Sequence, residues 1–336
     1  MTRDATRATG VILSTVSLKP FLIAGVAFAA LATNAQAQEQ AHSATDYAAV
    51  AADLEEVVVT ARRREESAQS VPIALTVFDA KQLEATGTYN IAQVVQLAPS
   101  LYLNAFNPRN TTVNIRGLGN NLGLANDGLE PGVGLYIDQV YLSRPAATTF
   151  DLVDIAQVEI LRGPQGTLFG KNTTAGALNI TTRAPSFTPE GRFEASFGDY
   201  GFWQGKASVS GPLSGIAAFR VSVSSTQRDG LIRNVLTGQD ANNQDNLAFR
   251  GQLLLTPSEQ LSVRLAADFS RQLTDCCALV YAGFGPTLRP ADRQFPALAA
   301  ALNYAPPSTD PFARLTDIND ISHANQQLGG LSAIVD

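Results

Sequence analysis

The chain changes its rhythm of apolar and polar positions twice. From Gly191 onward apolar residues fall on every second position. In GRFEASFG, Phe193, Ala195 and Phe197 alternate with Arg192, Glu194 and Ser196. WQGKASVSG sets Ala207 and Val209 against Lys206, Ser208 and Ser210, and AAFRVSVSS sets Phe219, Val221 and Val223 against Arg220, Ser222 and Ser224. NLAFRGQLLL and LSVRLAADFS repeat the pattern, and a weaker run begins near Gln327. A period of two belongs to strands whose two faces meet different surroundings, so about six antiparallel strands are predicted here, with no helices.

Before this region, from Glu55 to about Arg183, the pattern mixes short strands and helices. VPIALTVFD (Val71–Asp79) reads as a strand and AKQLEATG (Ala80–Gly87) as a short helix closed by glycine. NIAQVVQLAPSL places Ile91, Val94, Val95 and Ala98 at helical spacing until Pro99 stops the run. TTVNIRGLG, GVGLYIDQVYLS, VEILRGP and GALNITTRAP read as further strands ending in turns. The expectation is an α+β domain.

The connections in the alternating region discriminate between architectures. They are short at Gly198–Gly201, Gly211–Gly215 and Thr256–Gln260, long at Arg228–Asn246, and very long at Thr274–Ala324. Short turns at one end with longer loops at the other fit an outer-membrane barrel. A soluble sandwich rarely carries a loop of about 50 residues. Phe197, Tyr200, Phe202 and Trp203 cluster at a strand end, as an aromatic girdle would. The N-terminus agrees. Arg3, Arg7 and Lys19 precede the apolar run Phe21–Ala32, and Ala35 and Ala37 occupy the small-residue positions of a cleavage site. This is the layout of a secretory signal peptide, 1–37, cut after Ala37. The run is too short to span a bilayer of about 30 Å comfortably. A leader, 38–54, follows without periodicity.

Composition removes several function classes. The net charge of -6 argues against general nucleic-acid binding, and the run Arg62–Arg64, followed by Glu65 and Glu66, reads as a solvated linker. Cys276 and Cys277 are neighbours, while His42 and His323 are far apart, so no zinc site of Cys and His is expected. For the cysteine pair itself, a bridge between neighbours competes with free thiols and with bonds to distant cysteines. No G-x-S-x-G elbow occurs. The Gly-rich stretch LRGPQGTLFGKNTTAGALNI fails as a phosphate loop: Gln165 stands where the first glycine belongs and Asn172 where the hydroxyl belongs. GLGNNLG fails as a dinucleotide fingerprint at Leu122. Tight turns with positive φ at Gly163, Gly166, Gly170 and Gly176 are expected instead. Asp127, Glu130 and Asp138 form no distinctive pair and read as turn and surface residues. No catalytic residue, metal ligand or cofactor is expected.

From Glu55 to the C-terminus the sequence resembles the TonB-dependent receptors of Gram-negative outer membranes. EEVVVTARRREESAQSVPIALTVFDAKQLEATG is similar to their energy-coupling box and first plug strand, VNIRGLG and GVGLYIDQVYL to plug motifs, and VEILRGPQGTLFGKNTTAGALNITTRAP to the signature that closes the plug. The resemblance implies a TonB box over 55–61, a plug over 62–185 and a partial transmembrane barrel over 186–336. TonB coupling then falls to Glu56, Val57, Val58, Val59, Thr60 and Ala61. This β-rich segment suits pairing with a partner's sheet edge, although an ordinary first plug strand would look the same. The plug signature falls to Arg116, Gly117, Arg162, Gly163, Pro164, Gly166, Gly170, Asn172 and Gly176. In the family, arginines matching Arg116 and Arg162 lie in the plug and face acidic barrel residues; here both are expected to be exposed or solvated.

The implied role is active uptake of a scarce nutrient, a ferric siderophore or another iron complex first among them. The implied partners are TonB with its inner-membrane energising complex, outer-membrane lipid and a small-molecule ligand. The family barrel has about 22 strands, so a chain with about six reads as a fragment or a truncated product, not transport-competent alone. A surface or periplasmic binding module, or an adhesin without transport, is the alternative.

Overall fold

The computed structural model describes residues 57–64, 66–105, 110–119 and 130–336. The expected signal peptide, the leader, Glu56, Leu122 and Asp127 lie outside these residues. The chain divides into two compact units at Pro72/Ile73.

In the smaller unit, β1 (Val58–Val59) pairs antiparallel with β2 (Glu66–Ser67), Val58 opposite Ser67 and Val59 opposite Glu66. Arg63 turns the chain with φ 59°. Its neighbours do not simply face solvent, as the linker reading expected. Glu66 accepts from Arg62 Nε at 2.7 Å and lies 2.7 Å from Arg64 Nη2, so the two arginines close the hairpin on one carboxylate.

The larger unit begins with β3 (Ala74–Asp79), α1 (Ala80–Ala85) and α2 (Ile91–Leu97). Both helices are capped by short polar side chains. Asp79 accepts from Gln82 N at 2.7 Å within a capping box, and Asn90 accepts from Gln93 N at 3.0 Å. A hairpin of β4 (Leu101–Ala105) and β5 (Thr111–Ile115) follows, β4 being a strand that the apolar pattern hid behind the end of α2. Then come β6 (Val133–Ile137), β7 (Val140–Tyr141), β8 (Ile155–Arg162), the short α3 (Gly166–Phe169) and β9 (Gly176–Thr182). β3, β8, β9, β6 and β7 form one sheet in that order. Leu83, Ile91 and Val94 of the helices pack on Ile115, Val158, Ile160, Leu178 and Ile180 to make its core.

The second sheet has six strands, in the order β10 (Glu190–Phe197), β11 (Trp203–Ser214), β12 (Ala217–Arg228), β15 (Gln244–Ser258), β16 (Leu261–Cys276) and β18 (Ser322–Val335), every pair antiparallel. β13 (Ile232–Asn234) and β14 (Asp240–Ala241) lie in the connection after β12, and β17 (Leu315–Thr316) in the connection after β16. β13 pairs with β14 and, in parallel, with β17, so the two long loops are tied together. The longest loop also holds α4 (Phe295–Ala301), a short helix where no helix was expected. Its apolar residues FPALAAA repeat too briefly to compete with the alternation around them.

Candidate functional site

Register shows what each face of the six-stranded sheet does. Ser208, Ser222, Arg250 and Asp268 stand opposite one another across four strands. On the other face the corresponding row is Ala207, Val223, Phe249 and Phe269. The polar row is the covered one: Ser208, Ser222, Ser224, Thr226, Asn246, Arg250 and Gln252 are buried. The apolar row is open: Val209, Val221, Val223, Phe249, Leu265 and Phe269 are exposed. A soluble half-buried sheet has the opposite polarity.

What covers the polar face is the α+β portion, and three of its aspartates make the contact. Asp138, in the turn between β6 and β7, has φ 44°. Its carboxylate accepts from Thr182 N at 2.9 Å and Thr182 Oγ1 at 2.6 Å, and meets Arg250 Nη2 at 2.5 Å. Arg250 also reaches Asp268 at 3.1 Å. Asp154, before β8, lies 2.9 Å from Arg220 Nη1 and accepts from Ser222 Oγ at 2.7 Å. Asp151 accepts from Thr226 Oγ1 at 2.5 Å and Asn246 Nδ2 at 2.7 Å. Burial pushes the Asp151 carboxyl above its ordinary pKa, against the opposing pull of those donors. Neutral contacts frame the three carboxylates: Tyr89 Oη donates to Gln244 Oε1 at 3.1 Å, and Thr149 Oγ1 to Gln272 Oε1 at 2.9 Å.

Asp138 is thus a turn residue, as read, but not a surface one. The partner that buries it lies on a strand far along the chain, outside any local pattern. Asp151 and Asp154 carried no sequence signal beyond their charge. Glu130 does stay exposed, and lies 2.6 Å from Lys171 Nζ, so the lysine of the Gly-Lys pair serves a surface ion pair.

The residues singled out in the sequence are distributed as follows. Arg116 is exposed in the left-handed turn after β5, with Gly117 following at φ 76°. Arg162 is half-buried at the end of β8 and donates to Ser100 Oγ at 3.0 Å and Thr76 Oγ1 at 2.5 Å. Gly163, Gly170 and Gly176 have φ of 86°, 80° and 150°. Gly166 corrects the expectation: it opens α3 with φ outside the left-handed region, because the turn is made by its neighbours. Pro164 is exposed, and Asn172, at φ 70°, donates to Tyr141 Oη at 2.9 Å. Of the aromatic cluster, Phe197 is exposed, but Phe202 stacks on Tyr89 at 6.0 Å and Tyr200 accepts from Arg314 Nη1 at 2.6 Å. Phe202 thus packs on the α+β portion, while Tyr200 stays exposed and holds a loop through Arg314. Cys276 and Cys277 are bonded to each other.

Comparison with known proteins follows the same division. Residues 67–177 match the family model of the TonB-dependent Receptor Plug Domain. The pesticin receptor of Yersinia pestis is 32% identical over 226 residues, covering 66% of this chain and 31% of the receptor. The ferrioxamine receptor of Yersinia enterocolitica is 26% identical over 117 residues, covering 35% of this chain and 16% of that one. The crystal structure of the ferric yersiniabactin uptake receptor FyuA from Yersinia pestis superposes with a TM-score of 0.66 at 25% identity, over 80% of this chain and 39% of that one. The pyoverdine outer membrane receptor FpvA of Pseudomonas aeruginosa superposes with a TM-score of 0.55 at 18% identity, over 65% and 30%. The chain spans about a third of the length of the pesticin receptor it matches. The plug-domain match lies over the α+β portion and the pesticin receptor match extends into the six-stranded sheet, so the chain carries a TonB-dependent receptor plug domain and is similar, beyond it, to these outer-membrane receptors.

Proposed function

We propose that this chain supplies the plug and six wall strands of an outer-membrane receptor that takes up a ferric siderophore, or a similar iron complex, at the expense of energy delivered by TonB. The observation that carries this reading is the inverted polarity of the six-stranded sheet, polar toward the plug and apolar toward the outside. β11, β12, β15, β16 and β18, of 12 to 16 residues, exceed the roughly 9–11 a tilted strand needs to cross a bilayer. A closed wall of this kind contains more than six strands, so transport is assigned to the receptor as a whole. In this reading 1–37 is the export signal, 55–61 the TonB-coupling segment, 62–185 the plug and 186–336 wall and loops.

The siderophore assignment is supported by the relatives, whose names tie them to ferrioxamine, ferric yersiniabactin and pyoverdine. The coupling assignment is supported by a β-rich segment with Val57 and Val58 exposed, suited to adding a strand to a partner's sheet. The test is uptake by cells in which the gene product is the sole receptor of its class. Radiolabelled iron is offered as hydroxamate, catecholate and phenolate–thiazoline complexes, on ice and at growth temperature, with and without a protonophore. Binding on ice, with accumulation that the protonophore abolishes, is expected for at least one class. Accumulation of none overturns the proposal.

A further inference from the structure

We propose that the Cys276–Cys277 bridge is a redox clasp that holds the two long loops of the six-stranded sheet together. Cys276 is the last residue of β16 and pairs with Ser322, the first of β18, so the bridge stands at the mouth of loop 277–321. Cys277 has φ 76°, a conformation disfavoured for a residue with a side chain. The ring formed with Cys276 fixes it there. That turn delivers Ala278 to Asn242 of the other long loop. Asn242 Nδ2 donates to Ala278 O at 3.0 Å, and Ala278 N donates to Asn242 Oδ1 at 3.3 Å. The side-chain amide thus reproduces a pair of ladder bonds. On the other side of the bridge, Asp275 N donates to Asn243 Oδ1 at 2.6 Å. Two consecutive asparagines therefore grip the residues flanking the disulfide. Ala278 is only 2% exposed, in a small cluster with Ala241 and Ile321 that joins the loops.

The chemistry is thiol–disulfide exchange with a small external thiol. Cys276 is buried and Cys277 partly exposed, so a thiolate attacks Cys277 Sγ and Cys276 leaves as thiolate. A second thiol takes the first from the mixed disulfide. The S–S bond gains two electrons and two protons, and the small thiol leaves as its own disulfide. Without the ring, Cys277 returns to an ordinary φ and Ala278 swings from under Asn242, which leaves the short β13–β17 pairing to hold loop 277–321 to loop 229–243.

The proposal rests on the reading above only in placing these loops on the cell's outer side, where small thiols have access. Its test needs neither ligand nor uptake. The receptor in outer-membrane vesicles is analysed by hydrogen exchange, oxidised and after dithiothreitol, with iodoacetamide labelling to read the thiols. Peptides from 229–243 and 277–321 are expected to exchange roughly tenfold faster after reduction, with those from β11, β12 and β15 unchanged and reoxidation reversing the effect. The Cys276→Ser/Cys277→Ser variant should exchange at the fast rate with or without thiol. Labelled thiols with unchanged exchange overturn the proposal, as does labelling before any reductant is added.

Discussion

Asp138 and Arg250 meet at 2.5 Å with side-chain exposures of 1% and 8%, joining the β6–β7 turn to the polar face of the six-stranded sheet. The carboxylate is first fixed by two bonds from Thr182 and then offered to the guanidinium. Asp138→Ala leaves Arg250 buried with Asp268, a carboxylate 38% exposed, as its remaining ion-pair partner. Breaking one side of a buried pair costs about 3–5 kcal/mol, while the more exposed Asp268→Ala should cost about 1 kcal/mol or less. Urea unfolding in detergent should show that ordering. Equal losses would mean that the pair does not anchor the plug.

How much of this was readable in advance depends on the range of the interaction. The strands of the six-stranded sheet obey a period of two, a purely local rule, and Phe193 to Phe269 declare it. Ala80–Ala85 and Ile91–Leu97 carry their own caps and apolar spacing, so these helices too are legible. The anchoring aspartates are not, because Asp138 and Arg250 are 112 residues apart and only docking of the α+β portion on the six-stranded sheet makes them partners. The parallel pairing of Arg233–Asn234 with Leu315–Thr316 is equally hidden, since two-residue ladders leave no periodic trace. Gly166 was misread for a different reason: composition marks a turn but not which glycine makes it.

Asp151 should make plug docking sensitive to pH. Its folded-state pKa is raised from the ordinary 3.8, chiefly by burial. The docked state therefore favours the protonated form. This contribution is whole below the ordinary value and is lost as pH rises through the raised one. Thermal unfolding between pH 3 and pH 7 should show it. Asp151→Asn should raise Tm at pH 7 and flatten that part of the profile. Asp151→Ala leaves the Thr226 hydroxyl and Asn246 amide without their acceptor and should cost about 1–3 kcal/mol at either pH. An Asn variant with the wild-type profile would remove Asp151 as the source.

The glycines of the plug signature should differ sharply in tolerance. A Cβ on Gly176 would stand 2.2 Å from the backbone oxygen of Leu161, at φ 150°. Neither can yield without breaking the β8–β9 ladder, so Gly176→Ala should cost about 2 kcal/mol or more. Gly166 has open space around it and sits in a helix. Gly166→Ala should be neutral or stabilise by a few tenths of a kcal/mol. Denaturation midpoints of the two variants decide this.

Export makes a simpler prediction. If 1–37 is a signal peptide, the protein recovered from outer membranes should begin at Gln38. N-terminal sequencing that finds Met1 there would defeat the assignment.

The proposed coupling segment gives the sharpest functional test, because its hairpin separates two roles. β1 offers one edge to β2, through Val58 opposite Ser67, and exposes the Val58 side chain while Val59 is buried. Glu66 holds the other arm: hydrogen bonds from Arg62 and then Arg64 keep its carboxyl down at about 2. That ionic closure is whole above the ordinary carboxylate pKa and is lost only as pH falls through about 2, so it is constant at any pH where cells grow. Val58→Pro removes a backbone donor from the strand that would pair with TonB. It should abolish energised uptake while surface binding of the iron complex continues. Glu66→Gln loosens the hairpin but leaves residues 56–61 intact, and uptake should survive. If Val58→Pro cells still accumulate iron normally, coupling does not run through this strand. If Glu66→Gln fails as completely as Val58→Pro, the closed hairpin, and not an added strand, is what the energising partner recognises.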